Sequence, residues 1–94
     1  METNLIHILN SLDLDESDIE DILETCPGLD IVDTQRVVKN ISLVIEYGYP
    51  ESDINSLILI NPTFLVENPV NLAKKLSLIN GNIESALRNN PFLI

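Results

Sequence analysis

The apolar residues of this chain recur with the spacing of α-helices. Between residues 19 and 26, and again between residues 54 and 61, side chains suited to a core stand at positions i, i+3, i+4 and i+7. Similar stripes run through residues 37–44 and 72–79, and they are typical of helices that bury one face. No segment alternates with the period of a β-strand. The pattern therefore predicts an all-α protein of about six short helices.

These helical segments belong to a repeat of 35 residues. The residues Glu-Ser-Asp-Ile at 16–19 return unchanged at 51–54, and the Asn-Pro pair at 61–62 returns at 90–91 in a third, shorter copy. Repeats of this length usually form one supersecondary unit each and stack on their neighbours. We therefore predict a single domain, a small α-solenoid of two and a half helical-hairpin repeats. Its parts are a partial unit at 1–12, repeat one at 13–47, repeat two at 48–80 and a partial repeat three at 81–94.

Prolines and capping residues divide each repeat into a first and a second helix. Asp33 and Asn68 stand at equivalent N-cap positions before second helices, and Pro50 is expected at the first position of a helix. Residues that precede a proline avoid the helical conformation, so three prolines should each end a first helix. These are Pro27, Pro62 and Pro91.

Size and composition narrow the function classes. At 94 residues with 45% hydrophobic content, the chain can bury one modest core. The single Cys26 and the absence of a basic, then apolar, N-terminal segment favour a cytoplasmic protein, and no apolar run is long enough to cross a bilayer. The Ile-, Leu- and Asn-rich, Ala-poor composition suggests a low-GC bacterial or phage source.

The charge is strongly polarised along the chain. Net charge is −10, and residues 1–33 hold ten of the fifteen acids and no Lys or Arg. Glu16 and Asp18 recur as Glu51 and Asp53, which suits first turns of helices. Six other acids align with non-acidic residues of repeat two, so we expect that the fold does not require them. They form the predicted protein-binding surface: Asp13, Asp15, Glu20, Asp21, Glu24 and Asp30.

Repeat two resembles a known family. Its residues Tyr-Gly-Tyr-Pro-Glu-x-Asp-Ile at 47–54, Asn-Pro-x-Phe-Leu at 61–65 and Leu-x-Leu at 76–78 are similar to the repeat of the mitochondrial transcription termination factor family, and the Asn-Pro ending returns at 90–93. The resemblance implies a helical solenoid that binds nucleic acid. The residues that would contact phosphates are then Arg36, Lys39, Lys74, Lys75 and Arg88. Lys39 and Lys74 occupy equivalent positions and should form one column.

Catalytic and metal-binding patterns are absent from the sequence. His7 aligns with serines, Cys26 has no nearby base to lower its pKa, and no glycine-rich phosphate loop or Cys/His metal spacing occurs. The Asp-x-Asp-x-Ser segment at 13–17 lacks the glycine and terminal glutamate of a calcium loop. We therefore expect neither an enzyme nor a cofactor or metal site.

The sequence thus supports a non-enzymatic interaction module that uses an acidic N-terminal surface. The expected partner is a basic protein that handles nucleic acid, which the module would bind and inhibit as a nucleic-acid mimic, or join as an adaptor. Direct nucleic-acid binding through the basic column is the alternative. Self-association through the repeat ends is a third hypothesis, and no membrane partner is expected.

Overall fold

A computed structural model describes residues 3–94, and within that range the protein is built from helices with no strand. Six α-helices and four short 3-10 helices follow one another along the chain. The predicted all-α fold is therefore confirmed. The α-helices are α1 (Thr3–Ser11), α2 (Glu16–Thr25), α3 (Thr34–Glu46), α4 (Ile54–Ile60), α5 (Pro69–Ser77) and α6 (Ile83–Asn89). The 3-10 helices are η1 (Pro27–Asp30), η2 (Glu51–Asp53), η3 (Pro62–Val66) and η4 (Pro91–Leu93).

The helix boundaries follow the predicted punctuation with one exception. Asp33 and Asn68 cap α3 and α5, since their side-chain oxygens accept hydrogen bonds from the backbone N–H groups two residues on, each at 2.9 Å. Pro50, in contrast, is not the first residue of an α-helix. It precedes the 3-10 turn η2, and α4 begins only at Ile54, so Glu51 and Asp53 lie in that turn.

The three first helices end in the same way, as the proline positions predict. Cys26, Asn61 and Asn90 follow α2, α4 and α6, and their φ angles are −131°, −138° and −146°. A helical conformation at these residues would clash with the ring of the next proline. Each proline then opens a 3-10 helix rather than an open turn.

Equivalent elements of the two full repeats pack against one another. Helix α2 contacts α4, η1 contacts η3, and α3 contacts α5. The resulting body measures 36 × 22 × 19 Å. These contacts are those expected of stacked repeats, and the solenoid description remains a prediction.

The core consists mainly of Ile, Leu and Val, with Phe64 as its largest fully buried side chain. One polar side chain, Asn40 on α3, is also fully buried. Its amide nitrogen donates to the carbonyl oxygens of Phe64, Leu65 and Glu67, at 2.9, 3.1 and 2.8 Å. Because buried carbonyls are costly to leave without a donor, this amide ties η3 to the preceding repeat.

Candidate functional site

The six acids of the predicted protein-binding surface are all exposed, but they do not share one role. Asp15 is the N-cap of α2: its carboxylate accepts the N–H of Asp18 at 2.9 Å, and the Asp18 carboxylate accepts the N–H of Asp15 at 3.1 Å. This reciprocal pair is a capping box. Asp15 therefore has a structural role at the start of α2 that the alignment of the repeats did not predict.

Asp13 also has a conformational role. Its φ is +65°, in the left-handed region, which aspartate tolerates better than most side chains because it can hydrogen-bond locally. Gly48 and Gly81, in the two later loops that lead into a first helix, have φ of +123° and +83°. Alignment of Asp13 with Gly48 thus reflects a shared backbone conformation. Asp30, the last of the six in sequence, is exposed at the end of η1.

The other three predicted acids, Glu20, Asp21 and Glu24, lie on the solvent side of α2. Glu16 precedes them, so glutamates recur at every fourth residue. Residues four apart on a helix are neighbours on its surface, and like charges at that spacing repel. We call Glu16, Glu20 and Glu24 the acidic row. Within residues 3–94 none of the three forms an ion pair.

A groove runs beside the acidic row, between α1 and α2. It has a volume of about 390 Å³ and contains both apolar and acidic side chains. Ile6 is 36% exposed and Leu23 is half-buried, while Glu16 and Glu20 border them. We call this feature the N-terminal groove, and its lining residues are Ile6, Asn10, Glu16, Ile19, Glu20 and Leu23. Sequence reasoning missed the groove, because only the fold shows that α1 and α2 leave a gap.

Three of the five basic residues are occupied by intramolecular contacts. Arg88 on α6 pairs with Asp53 and with Glu84, the latter at 2.9 Å, and its guanidinium lies 5.7 Å from the centre of the Tyr49 ring. Hydrogen bonds to Asp53 and then Glu84 raise the pKa of Arg88.

The two remaining occupied bases contact the segment that joins η3 to α5. Lys75 pairs with Glu67 at 3.0 Å, and Arg36 donates to the carbonyl oxygen of Val66 at 3.3 Å. Both interactions are exposed, so they contribute little to folding. Glu67 offsets the charge of Lys75, whereas the carbonyl that Arg36 contacts is neutral.

Lys39 and Lys74 differ from the other bases. Both are exposed, at equivalent positions of the contacting helices α3 and α5, and neither forms an ion pair within the described part of the chain. A larger, open groove of about 660 Å³ lies between α1 and α3, and His7, Lys39 and Glu46 line it together with mostly uncharged residues. Its mixed charge does not favour one class of ligand.

The reactive side chains are arranged without catalytic geometry in the described residues. Cys26 is buried, and burial raises the pKa of its thiol, which disfavours the nucleophilic thiolate. Among residues 3–94, no three His, Cys, Asp or Glu side chains come close enough together to hold a metal ion. Likewise, no helix there combines the length and apolar character required to cross a membrane.

The resemblance to the termination factor repeat stays a prediction. It depends on residues 47–54, 61–65 and 76–78, which fold as η2, η3 and the end of α5 with their flanking residues. No model of a known protein family, no curated protein and no solved structure matches this chain.

Proposed function

We propose that this protein is a non-enzymatic interaction module whose acidic α2 surface binds a basic protein. The observation that carries the proposal is the acidic row with Asp21 beside it: four exposed carboxylates on one helix, with no ion pair to any residue of the described chain. Such a row attracts cationic partners over about 8–10 Å at physiological salt. It also accelerates their association through electrostatic steering.

The cost of the acidic row supports a binding role over a structural one. Like charges four residues apart destabilise a helix by about 0.2–0.5 kcal/mol per pair. Repeat two has Asn55 and Leu59 where repeat one has Glu20 and Glu24. The repeat therefore folds with neutral residues at both positions. The basic partner that best suits the surface is a protein that handles nucleic acid, because its phosphate-binding groove accepts carboxylates in place of phosphates.

Two matched double variants test the proposal. Glu20→Gln/Glu24→Gln removes two charges from the acidic row, whereas Glu46→Gln/Glu51→Gln removes two exposed carboxylates elsewhere that also lack ion pairs within residues 3–94. Each tagged variant is used to capture proteins from nuclease-treated lysate of the source organism at low salt. Basic proteins should be retained by the wild type and by the Glu46/Glu51 variant, and should be depleted about tenfold with the Glu20/Glu24 variant. Equal recovery with both variants would refute the proposal.

A second candidate function is direct nucleic-acid binding through Lys39 and Lys74. It is favoured by their exposed, equivalent positions on neighbouring helices. Charge reversal in Lys39→Glu/Lys74→Glu should then abolish a mobility shift of DNA or RNA at low salt. The net charge of −10 opposes this function, which makes it the second choice. In the capture experiment it predicts that companions of nucleic acid are retained only when nuclease is omitted.

A further inference from the structure

The N-terminal groove corresponds to a face of α3 and α4 that other helices cover. Ile6 and Leu23 of the groove are equivalent to Ile41 and Ile58 one repeat later. Ile41 is 8% exposed and Ile58 is fully buried, whereas Ile6 is 36% exposed and Leu23 is half-buried. The difference arises because α1 and α2 pack against α3 and α4. The groove itself has no such helices over it within residues 3–94.

The carboxylates beside the N-terminal groove favour a positively charged ligand. Glu16 and Glu20 border the apolar floor formed by Ile6, Ile19 and Leu23. In repeat two, the residues equivalent to these glutamates are Glu51 and Asn55, so the N-terminal groove has one carboxylate more than the equivalent positions of repeat two. An occupant therefore needs an apolar stripe for the floor and cations for the two glutamates.

We propose that the N-terminal groove binds an amphipathic, Lys- and Arg-rich α-helix of the partner protein. This inference rests on the proposed function and specifies the element that the partner supplies. A helix of about 10–14 residues is about 15–21 Å long, which is at least as long as α1 and α2, the 9- and 10-residue helices that form the groove. Its apolar stripe would lie on Ile6 and Leu23, and its basic residues would pair with Glu16 and Glu20.

A second copy of this chain is a poorer occupant than a basic helix. Each molecule has a net charge of −10, so two molecules repel one another. Helix α5 is the one described helix with two lysines, and its apolar residues Leu72 and Leu76 are already buried in the core. These leucines could enter the groove of another molecule only if α5 separated from its own core.

Two synthetic peptides of identical composition test this inference without an identified partner. The first is a 14-residue Leu/Lys peptide with leucines at helical spacing, and the second permutes the same residues so that no apolar face forms. Affinity is measured by fluorescence anisotropy at about 150 mM salt, where charge alone is screened beyond about 8 Å. We expect the amphipathic peptide to bind about tenfold more tightly than the permuted one.

The site of binding is read from methyl chemical shifts of the labelled protein. Peptide should shift the methyl signals of Ile6, Ile19 and Leu23, and Leu23→Ser should weaken binding about tenfold. Leu78→Ser, at an exposed leucine in a separate groove between α5 and α6, is the matched control and should have no effect. If Leu23→Ser disturbs folding, the methyl shifts in the wild type still locate the site.

The outcomes separate this inference from the proposed function. Equal affinity for the two peptides, or shifts centred on Leu78 and Leu93, would overturn the helix-in-groove proposal. Capture of basic proteins through Glu20 and Glu24 would still stand in either case. If neither peptide binds while the capture experiment succeeds, the groove proposal is also overturned, because the acidic row then acts without the groove.

Discussion

Repeats one and two share a helical framework but bury different side chains. Asn40 on α3 is fully buried, whereas Lys75 at the equivalent position of α5 is exposed and pairs with Glu67. Leu43 is 8% exposed, and its equivalent Leu78 is 71% exposed. Asn40 is covered by repeat two, since its amide is hydrogen-bonded to η3. The position within the repeat sets the secondary structure, and the neighbouring repeat decides what is buried.

The solvent-facing sides of the first helices α2 and α4 also differ, and here repeat one carries the charged residues. Repeat one has Glu20 and Glu24 where repeat two has Asn55 and Leu59, the last of which is an exposed leucine. Both helices form and both bury their apolar stripes. The comparison teaches that a first helix of the repeat forms without acids at the positions of Glu20 and Glu24.

The largest expected effect on stability comes from a comparison of two phenylalanines, one in the core and one on the surface. Phe64 in η3 is fully buried, while Phe92 in η4 is 66% exposed. Phe64→Ala should lower the free energy of unfolding by about 3–5 kcal/mol through lost burial and the cavity it leaves. Phe92→Ala should change it by less than about 0.5 kcal/mol. Urea unfolding followed by circular dichroism measures both, and similar losses would show that η4 is packed as tightly as η3.

The next effect concerns the equivalent pair Asn40 and Lys75. Asn40→Ala removes the amide that donates to the carbonyl oxygens of Phe64, Leu65 and Glu67, so we expect the free energy of unfolding to fall by about 1–3 kcal/mol. Lys75→Ala removes one exposed ion pair and should cost less than about 1 kcal/mol. The same unfolding measurement applies. Equal losses would contradict the view that the neighbouring repeat gives Asn40 its importance.

The helices could be predicted from the sequence, but the contacts of Asn40 with η3 could not. The stripe at residues 37–44 and the caps Asp33 and Asn68 depend on neighbours within a few residues, and the structure bears them out. The hydrogen bonds of Asn40 join residues 24 to 27 positions apart, and no local pattern encodes such a separation. The local pattern likewise does not predict that the segments after Pro27 and Pro62 form the 3-10 helices η1 and η3.

A medium effect distinguishes the two kinds of acid in repeat one. Asp15→Ala removes the carboxylate that accepts the Asp18 N–H in the capping box of α2. It should lower the free energy of unfolding by about 1 kcal/mol. Glu24→Ala removes an exposed acid of the acidic row together with its unfavourable pair with Glu20, and alanine is the better helix former, so we expect no loss of stability. Thermal unfolding of both variants gives the comparison. Equal stabilities would show that the cap contributes nothing in solution.

Only part of the candidate site could be predicted from the sequence, because the rest depends on tertiary structure. Alignment of the repeats separated Glu20, Asp21 and Glu24 from the acids at helix starts, and all three are exposed on α2. It grouped Asp13 and Asp15 with them, because Pro50 cannot cap a helix through its side chain and a glycine at position 48 does not by itself show that Asp13 has a positive φ. Of the five bases predicted to contact phosphates, Lys39 and Lys74 remain as candidates. Lys75 and Arg88 pair with acids that tertiary packing brings to them, and the sequence pattern does not show these pairs.

The smallest expected effect has the opposite sign. Glu20 lies between Glu16 and Glu24 in the acidic row, so Glu20→Gln relieves two unfavourable pairs and should raise the free energy of unfolding by about 0.4–1 kcal/mol at low salt. The gain should fall at about 1 M NaCl, where screening acts over about 3 Å. Glu51→Gln, whose helix carries no such row, is the control and should give little or no gain.

A stabilising Glu20→Gln would mean that the wild type keeps this carboxylate against its own stability. Some residues serve function at a cost in stability, and selection tolerates that cost as long as the protein stays above the stability that function needs. A variant that is more stable yet binds the basic partner less tightly would place the acidic row in that class. If Glu20→Gln instead destabilised the protein, the row would have a structural role that neither the exposure of its carboxylates nor their lack of ion pairs within residues 3–94 reveals.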